Sequence, residues 1–369
     1  MAQIEIRNLC KSFKDDAVLK GLSLRVDKGE IVTVFGPSGT GKTVLLRLIA
    51  GIYPPDAGSI GLRGHDAGGS QPEQRGIGMA FQNFALFPHM TAWDNIASAL
   101  TARKLNKGEI ARKVDAVAAL LKIDHVLGHM PRELSNGQKQ RTALARALVA
   151  DPDILLLDDP LRNVDAKLRY EMRLELPALL KQLGSTVLYV TQDFKEAMAL
   201  GDRIAVLLDG EIVQCDTPAR IYAEPSSVGV ARLFGDPTLN LVDVEPRLVD
   251  GTPQVLVGGA PIRLPPAYVG AAGGSYLLGL RPESLHLTDA DAPGTIAVDL
   301  VAVTPLNEKS VLLLTTEGGH ELLASEAGDR DIPRRAGPGR LALDLDAVLL
   351  FDRESGRRFV PNDTPGARP

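Results

Sequence analysis

The stretch Gly36-Pro37-Ser38-Gly39-Thr40-Gly41-Lys42-Thr43 follows the apolar run Glu30-Ile31-Val32-Thr33-Val34-Phe35 and opens the run Thr43-Val44-Leu45-Leu46-Arg47-Leu48-Ile49. Its eight residues match the P-loop pattern in the strand-loop-helix context that the pattern requires. Glycines let backbone N–H groups curl around phosphates, and the N-terminus of the following helix adds a positive dipole. Lys42 reaches the outer phosphates, and the Thr43 hydroxyl is placed to ligand Mg2+. The phosphate-binding set is therefore Gly36, Ser38, Gly39, Gly41, Lys42 and Thr43.

Outward from this loop, short apolar runs alternate with longer helical periods up to about residue 235. That alternation predicts α/β units around a largely parallel sheet. Ile154-Leu155-Leu156-Leu157 and Thr186-Val187-Leu188-Tyr189-Val190 are continuous apolar strands, as expected when both sheet faces are covered. Residues 83–150 read as a helical insertion, and Asp209-Gly210 between two strand-like runs reads as a hairpin. Pro177 lies within the amphipathic run Lys167 to Leu183, where it should kink the helix or start a new one. After Gly235-Asp236-Pro237 the pattern changes. Pro and Gly recur, and short β-type runs at Gln254 to Val257, Tyr276 to Leu280, Ile296 to Val303 and Val311 to Thr315 predict a β-rich domain over 236–360. Residues 361–369 read as a loose tail.

The chain has 369 residues and 44% hydrophobic residues, which suits two or three folded domains and argues against disorder. A net charge of −5 offers no broad basic surface for nucleic acid, so no nucleic-acid partner is expected. The N-terminus lacks the apolar core of a signal peptide, and no stretch approaches the roughly 20 apolar residues that cross a bilayer. A cytosolic chain that reaches a membrane only through a partner is the expectation. Cys10 and Cys215, far apart and without C-x-x-C spacing, read as free buried thiols.

A P-loop needs an acid on a neighbouring strand to hold Mg2+, and the strand Ile154 to Leu157 ends in Asp158-Asp159-Pro160. Asp158 is the metal-side candidate. With the P-loop, Gln82 in Phe81-Gln82-Asn83 and the element Leu134-Ser135-Asn136-Gly137-Gln138, this order resembles the ATP-binding subunits of ABC transporters. More narrowly it is similar to bacterial importer ATPases for sugars, polyols and glycerol phosphate, and the resemblance covers nearly the whole chain. It implies a P-loop ATPase domain over 1–235, with the helical subdomain at about 83–150. A regulatory, oligonucleotide-fold-like barrel follows, to which Gly279-Leu280-Arg281-Pro282-Glu283 and Leu350-Phe351-Asp352 look like contributions.

The resemblance also implies roles. ATP and Mg2+ would be bound between two ATPase subunits closed head to tail, so each site is composite. Ser135, Gly137 and Gln138 would meet the γ-phosphate of the partner's ATP, Phe13 would stack on adenine, and Gln82 would sense Mg2+ and the γ-phosphate. The apolar segment Phe84 to Met90 would receive a coupling helix from one of two transmembrane permease subunits at the cytoplasmic face of the inner membrane. An extracytoplasmic solute-binding protein completes such a system.

The signature changes only its middle residue, to Asn136, but three further positions depart from the family pattern. Asp159 replaces the glutamate that polarises the attacking water, Gln192 in Thr191-Gln192-Asp193 replaces the switch histidine, and Arg162 replaces a D-loop serine. Aspartate is one methylene short, and a displacement of about 1 Å can cost on the order of 100-fold in rate. Glutamine cannot carry a proton or positive charge. Asp159, Gln192 and Gln82 form the candidate catalytic set, and its altered members predict weak turnover. The retained signature predicts a partner ATPase with intact Glu and His rather than a homodimer. A non-hydrolysing regulatory subunit, a soluble ABC ATPase of DNA repair or translation, and an importer for another solute class such as an anion or polyamine are the competing expectations.

Overall fold

The computed structural model describes residues 2–14, 16–288, 294–306, 308–328 and 336–361. Except for Pro361, the expected tail at 361–369 lies outside them. Two compact units are formed, Met1–Ala219 and Arg220–Pro369.

The first unit is organised by a six-stranded sheet. In order across it stand Glu211–Asp216, Arg203–Leu208, Ile31–Phe35, Thr186–Thr191, Ile154–Asp158 and Ile77–Ala80. All pairs are parallel except the first, the hairpin closed at Asp209-Gly210, where both turn residues have positive φ. Continuous apolar strands serve two cores at once, because side chains alternate between sheet faces. Leu155, Leu157, Val187 and Tyr189 pack against helices Ala92–Ala102, Lys107–Leu120 and Asn136–Leu148. Ile154, Leu156, Leu188 and Val190 face the other way, onto helix Lys42–Ile49 and the antiparallel sheet containing Ala2–Phe13, Asp16–Asp27 and Ala57–Leu62. The three helices on the first face lie within the expected insertion at 83–150.

Ala166–Leu183 is a single helix that continues through Pro177, so no second helix starts there. Asp165 caps it through Leu168 N–H, and Gly184 ends it in the left-handed conformation. Cys10 and Cys215 are free thiols, but half-buried rather than buried. Both lie near the ends of strand pairings, and Cys215 accepts from Arg203.

The second unit holds three antiparallel sheets curled around one core. Val242, Leu278 and Leu350 reach that core from one sheet, Val255 and Ile262 from another, and Ile296, Leu312 and Leu341 from the five-stranded third. This unit begins at Arg220, ahead of the compositional change at 235. Arg281 supplies the reason: its buried guanidinium donates to the Phe234 carbonyl at 2.7 Å and to the Tyr222 carbonyl, and lies 3.6 Å from the centre of the Tyr222 ring. Ala231, in helix Val228–Leu233, packs with Leu239, Leu349 and Phe351.

Removing Arg281 would take a buried charged donor from two carbonyls. Arg281→Ala should destabilise the second unit by about 2–3 kcal/mol in urea unfolding while leaving nucleotide affinity unchanged. A loss below about 0.5 kcal/mol would contradict the clamp, since that is the range of an ordinary surface substitution.

Candidate functional site

The P-loop runs from strand Ile31–Phe35 into helix Lys42–Ile49. Gly36 permits a close backbone approach, because a Cβ there would stand 2.3 Å from the Leu207 carbonyl oxygen. Gly41, the residue before the helix, has φ of 98°, a conformation costly for any residue with a Cβ. Ser38 and Gly39 lie exposed on the crest of the loop. Lys42 folds back over it, its ammonium donating to the Gly36 carbonyl at 2.8 Å and to that of Pro37. Burial pushes this amine below its usual value, and Asp159 and Asp158 oppose the shift.

Thr43 Oγ1 donates to Asp158 Oδ1 at 2.9 Å, so the expected metal-side hydroxyl and carboxylate meet across 115 residues of sequence. Both are hard oxygen donors of the type that Mg2+ selects. Parallel pairing places Asp158 beside Val190 and Phe35 beside Thr191, so the loop, the acidic pair and Thr191-Gln192 share one edge of the sheet. Burial raises the carboxyl of Asp158, and its bond from Thr43 offsets part of that.

Asp159 is buried and has a φ of 44°, and its backbone N–H donates to the Val190 carbonyl at 2.9 Å. Left-handed backbone at a non-glycine residue carries strain of a kind that clusters at functional sites. Burial pushes the Asp159 carboxyl up to about 6, opposed by Arg162 and reinforced by Asp158. Arg162 Nη1 lies 3.8 Å from Asp159 Oδ2. With the Gln192 amide oriented by its hydrogen-bond partners, its oxygen accepts from Arg162 Nε at 3.2 Å and Nη1 at 3.1 Å. Arg162 therefore lies against both Asp159 and Gln192.

Gln82 follows strand Ile77–Ala80, the neighbour of Ile154–Asp158, and its carbonyl accepts from Asn163 Nδ2 at 2.8 Å. Phe13, at the end of its strand, is 40% exposed and, among the described residues, belongs to none of the core clusters. Its ring stands edge-on to Tyr53, with centroids 5.5 Å apart. Ser135 and Gln138 form a reciprocal capping box on helix Asn136–Leu148: Ser135 Oγ accepts from Gln138 N–H at 3.3 Å, and Gln138 Oε1 accepts from Ser135 N–H at 2.9 Å. Gly137 packs against Leu168, so closely that a Cβ would meet its Cδ2 at 2.1 Å. None of the hydrogen bonds found for these signature residues, among the described residues, reaches the P-loop.

Three polar residues that the sequence reading passed over hold the surroundings in place. Glu196, buried, accepts from Tyr189 Oη and Thr191 Oγ1, both at 2.9 Å, and burial pushes it to about 7. Asn95, fully buried, donates to the Phe87 carbonyl at 3.1 Å and accepts from the Phe87 N–H at 2.8 Å. Arg146 donates to the Phe84 and Ala85 carbonyls at 3.0 and 2.7 Å and lies over the Phe87 ring. The segment Phe84 to Met90 is thereby fixed beside a 600 Å³ groove lined by Met79, Phe81, Ala85, Phe87 and Ala99. Glutamate in a first helical turn and asparagine in a helix carry no sequence signal of burial, which is why they escaped notice.

Asp159 also makes stability depend on pH. Its folded value of about 6 lies above the unfolded value of about 3.8, so the folded chain keeps a proton that the unfolded chain gives up. Stability is therefore lost as pH rises through the window from about 4 to about 6. Asp159→Asn should stabilise the first unit by about 2 kcal/mol at pH 8, and the gain should shrink as pH falls toward 4. Urea midpoints across this range test it, and a variant equally stable with wild type at every pH would contradict it.

Comparison with known proteins agrees with this geometry. The family model described as ABC transporter matches residues 19–162. The chain is 40% identical to the sn-glycerol-3-phosphate import ATP-binding protein UgpC of Ruegeria pomeroyi, over 98% of this chain and 100% of that protein. With the protein of the same name from Ralstonia nicotianae it shares 41% identity, over 97% and 99% of the two chains. Among solved structures, a dimeric ATP-binding cassette in a post-hydrolysis state bound to ADP and Pi is similar, with a TM-score of 0.54 and 30% identity. That match covers 58% of this chain and 98% of the other. The chain belongs to the ABC transporter family, among its import ATP-binding subunits.

Proposed function

We propose that this chain is a motor subunit coupling ATP binding and hydrolysis to import of a glycerol derivative, sn-glycerol-3-phosphate or a close polyol relative. In this reading it is the weakened half of an asymmetric ATPase pair. The observation that carries nucleotide binding is the assembled loop: Lys42 held over Gly36 and Pro37, with Thr43 bonded to Asp158. Similarity to glycerol-phosphate import proteins over nearly the full length supports the solute class.

ATP would lie along Gly36 to Thr43, with Phe13 against its adenine. Mg2+, held by Thr43, Asp158 and Gln82, would neutralise phosphate charge. Lys42 binds the outer phosphates. Asp159 orients the attacking water and accepts its proton, but from a carboxylate one methylene short, and Gln192 contributes a hydrogen bond without charge. Both changes slow this site. Ser135, Gly137 and Gln138 complete the other subunit's site, where the partner supplies the usual Glu and His. The helix N-terminus they cap adds its dipole there.

The groove beside Phe84 to Met90 is the docking surface for a coupling helix of one of two transmembrane permease subunits. That places the chain at the cytoplasmic face of the membrane, with a solute-binding protein on the opposite side. The β-rich unit regulates or stabilises the pair and takes no part in phosphate chemistry.

Transport by the assembled complex tests the asymmetry. Ser135→Arg puts bulk and charge against the partner's γ-phosphate and should nearly stop uptake. Asp159→Asn alters a site that already turns over slowly and should cost only a few-fold. Equal damage from the two would overturn the asymmetric reading.

A further inference from the structure

The D-loop turn, Leu161 to Asp165, is held in place by several contacts. Leu161 and Val164 are buried with Met172, and the Arg162 N–H donates to the Asp159 carbonyl. Arg169 Nη2 donates to the carbonyls of Arg162 and Val164 at 3.2 and 3.1 Å, and Asn163 is tied to Gln82. On a backbone held this way the Arg162 side chain, although 45% exposed, lies against Asp159 and Gln192 of its own chain. Its guanidinium bridges Gln192 and Asp159, and it is close enough to Lys42 for the two cations to act on each other.

The charges around the nucleotide make this position consequential. Asp158 and Asp159 bring two carboxylates to the edge of the sheet, Gln192 is neutral, and Lys42 alone would leave an excess of negative charge where an anion must bind. Arg162 restores the balance. Asp158 is engaged with Thr43, and Asp159 and Gln192 lie one residue beyond Asp158 and Thr191; in the function proposed above these two face the attacking water and the outermost phosphate. Guanidinium has five N–H donors, enough to hold Gln192 and still contact a phosphate oxygen.

We propose that Arg162 is an anion-binding side chain of this chain's own nucleotide site, reaching the γ-phosphate of ATP from its perch on Asp159 and Gln192. The inference rests on the nucleotide-site reading above and adds to it a residue and a consequence. The site distinguishes ATP from ADP through a cation from its own D-loop, and it can hold ATP firmly while turning it over slowly.

The test is the affinity of the purified full-length chain for Mg-ATP and for Mg-ADP, measured by titration calorimetry. Arg162→Ala should weaken ATP about tenfold, the scale of a charge-assisted hydrogen bond, and change ADP by less than twofold. Arg162→Lys, which keeps the charge but not the fork, should recover part of the ATP affinity. Unchanged or tighter ATP binding in Arg162→Ala would mean that the side chain only ties Asp159 to Gln192, and would overturn the proposal. Equal loss for both nucleotides would also overturn it, by revealing a structural role. Wild-type chain that bound neither nucleotide would instead sink the nucleotide-site reading itself, and this inference with it.

Discussion

Parallel pairing of Ile31–Phe35, Thr186–Thr191 and Ile154–Asp158 is the constraint on which the first unit depends. Parallel strands end on the same side of a sheet, and in open α/β folds that edge is where ligands bind. Because the pairing register sets Phe35 beside Thr191 and Asp158 beside Val190, residues 36–43, 158–159 and 191–192 converge without any long loop to carry them. A parallel sheet must be covered on both faces. The helical insertion and the antiparallel sheet do this, and they also present the signature helix and the exposed ring of Phe13.

That edge gathers charge that the fold must tolerate. Two carboxylates and a lysine lie together with little access to water beside a half-exposed arginine, and the buried amine and both acids are pushed toward their neutral forms. Strain in the Asp159 backbone accompanies this. Buried ionisable groups of this kind are destabilising unless paired, which is a recurring property of sites prepared for a charged ligand. The same electrostatic frustration gives Arg162 its partners: its guanidinium lies against Asp159 and Gln192 while staying half exposed.

Much of this was legible in the sequence where chemistry and chain order coincide. Gly36 to Thr43 reads as a phosphate loop because its residue types, spacing and flanking runs all agree, and Asp158 reads as its acid because a continuous apolar strand ends there. The hairpin at Asp209-Gly210 follows from local backbone preference alone. Other features depend on tertiary contact. The start of the second unit at Arg220 follows from Arg281 reaching Phe234 across 47 residues, and composition, which changes only after Gly235, does not register it. Arg162 is visible in the sequence only as a departure from pattern. Its link to Gln192 exists because two strand ends are neighbours, whereas Glu196 and Asn95 are buried on partners a few residues away in the chain.

In the function proposed above, an ATPase that keeps what it gives to a partner, Ser135, Gly137 and Gln138, while altering what serves its own site at Asp159 and Gln192, works beside a different subunit. Two copies of this chain would join two weakened sites. The direct measurement is native mass spectrometry of the intact transporter purified through this chain. The account predicts one copy of this chain together with one copy of a related ATPase carrying the usual Glu and His. A complex whose only ATPase subunits are two copies of this chain would contradict it.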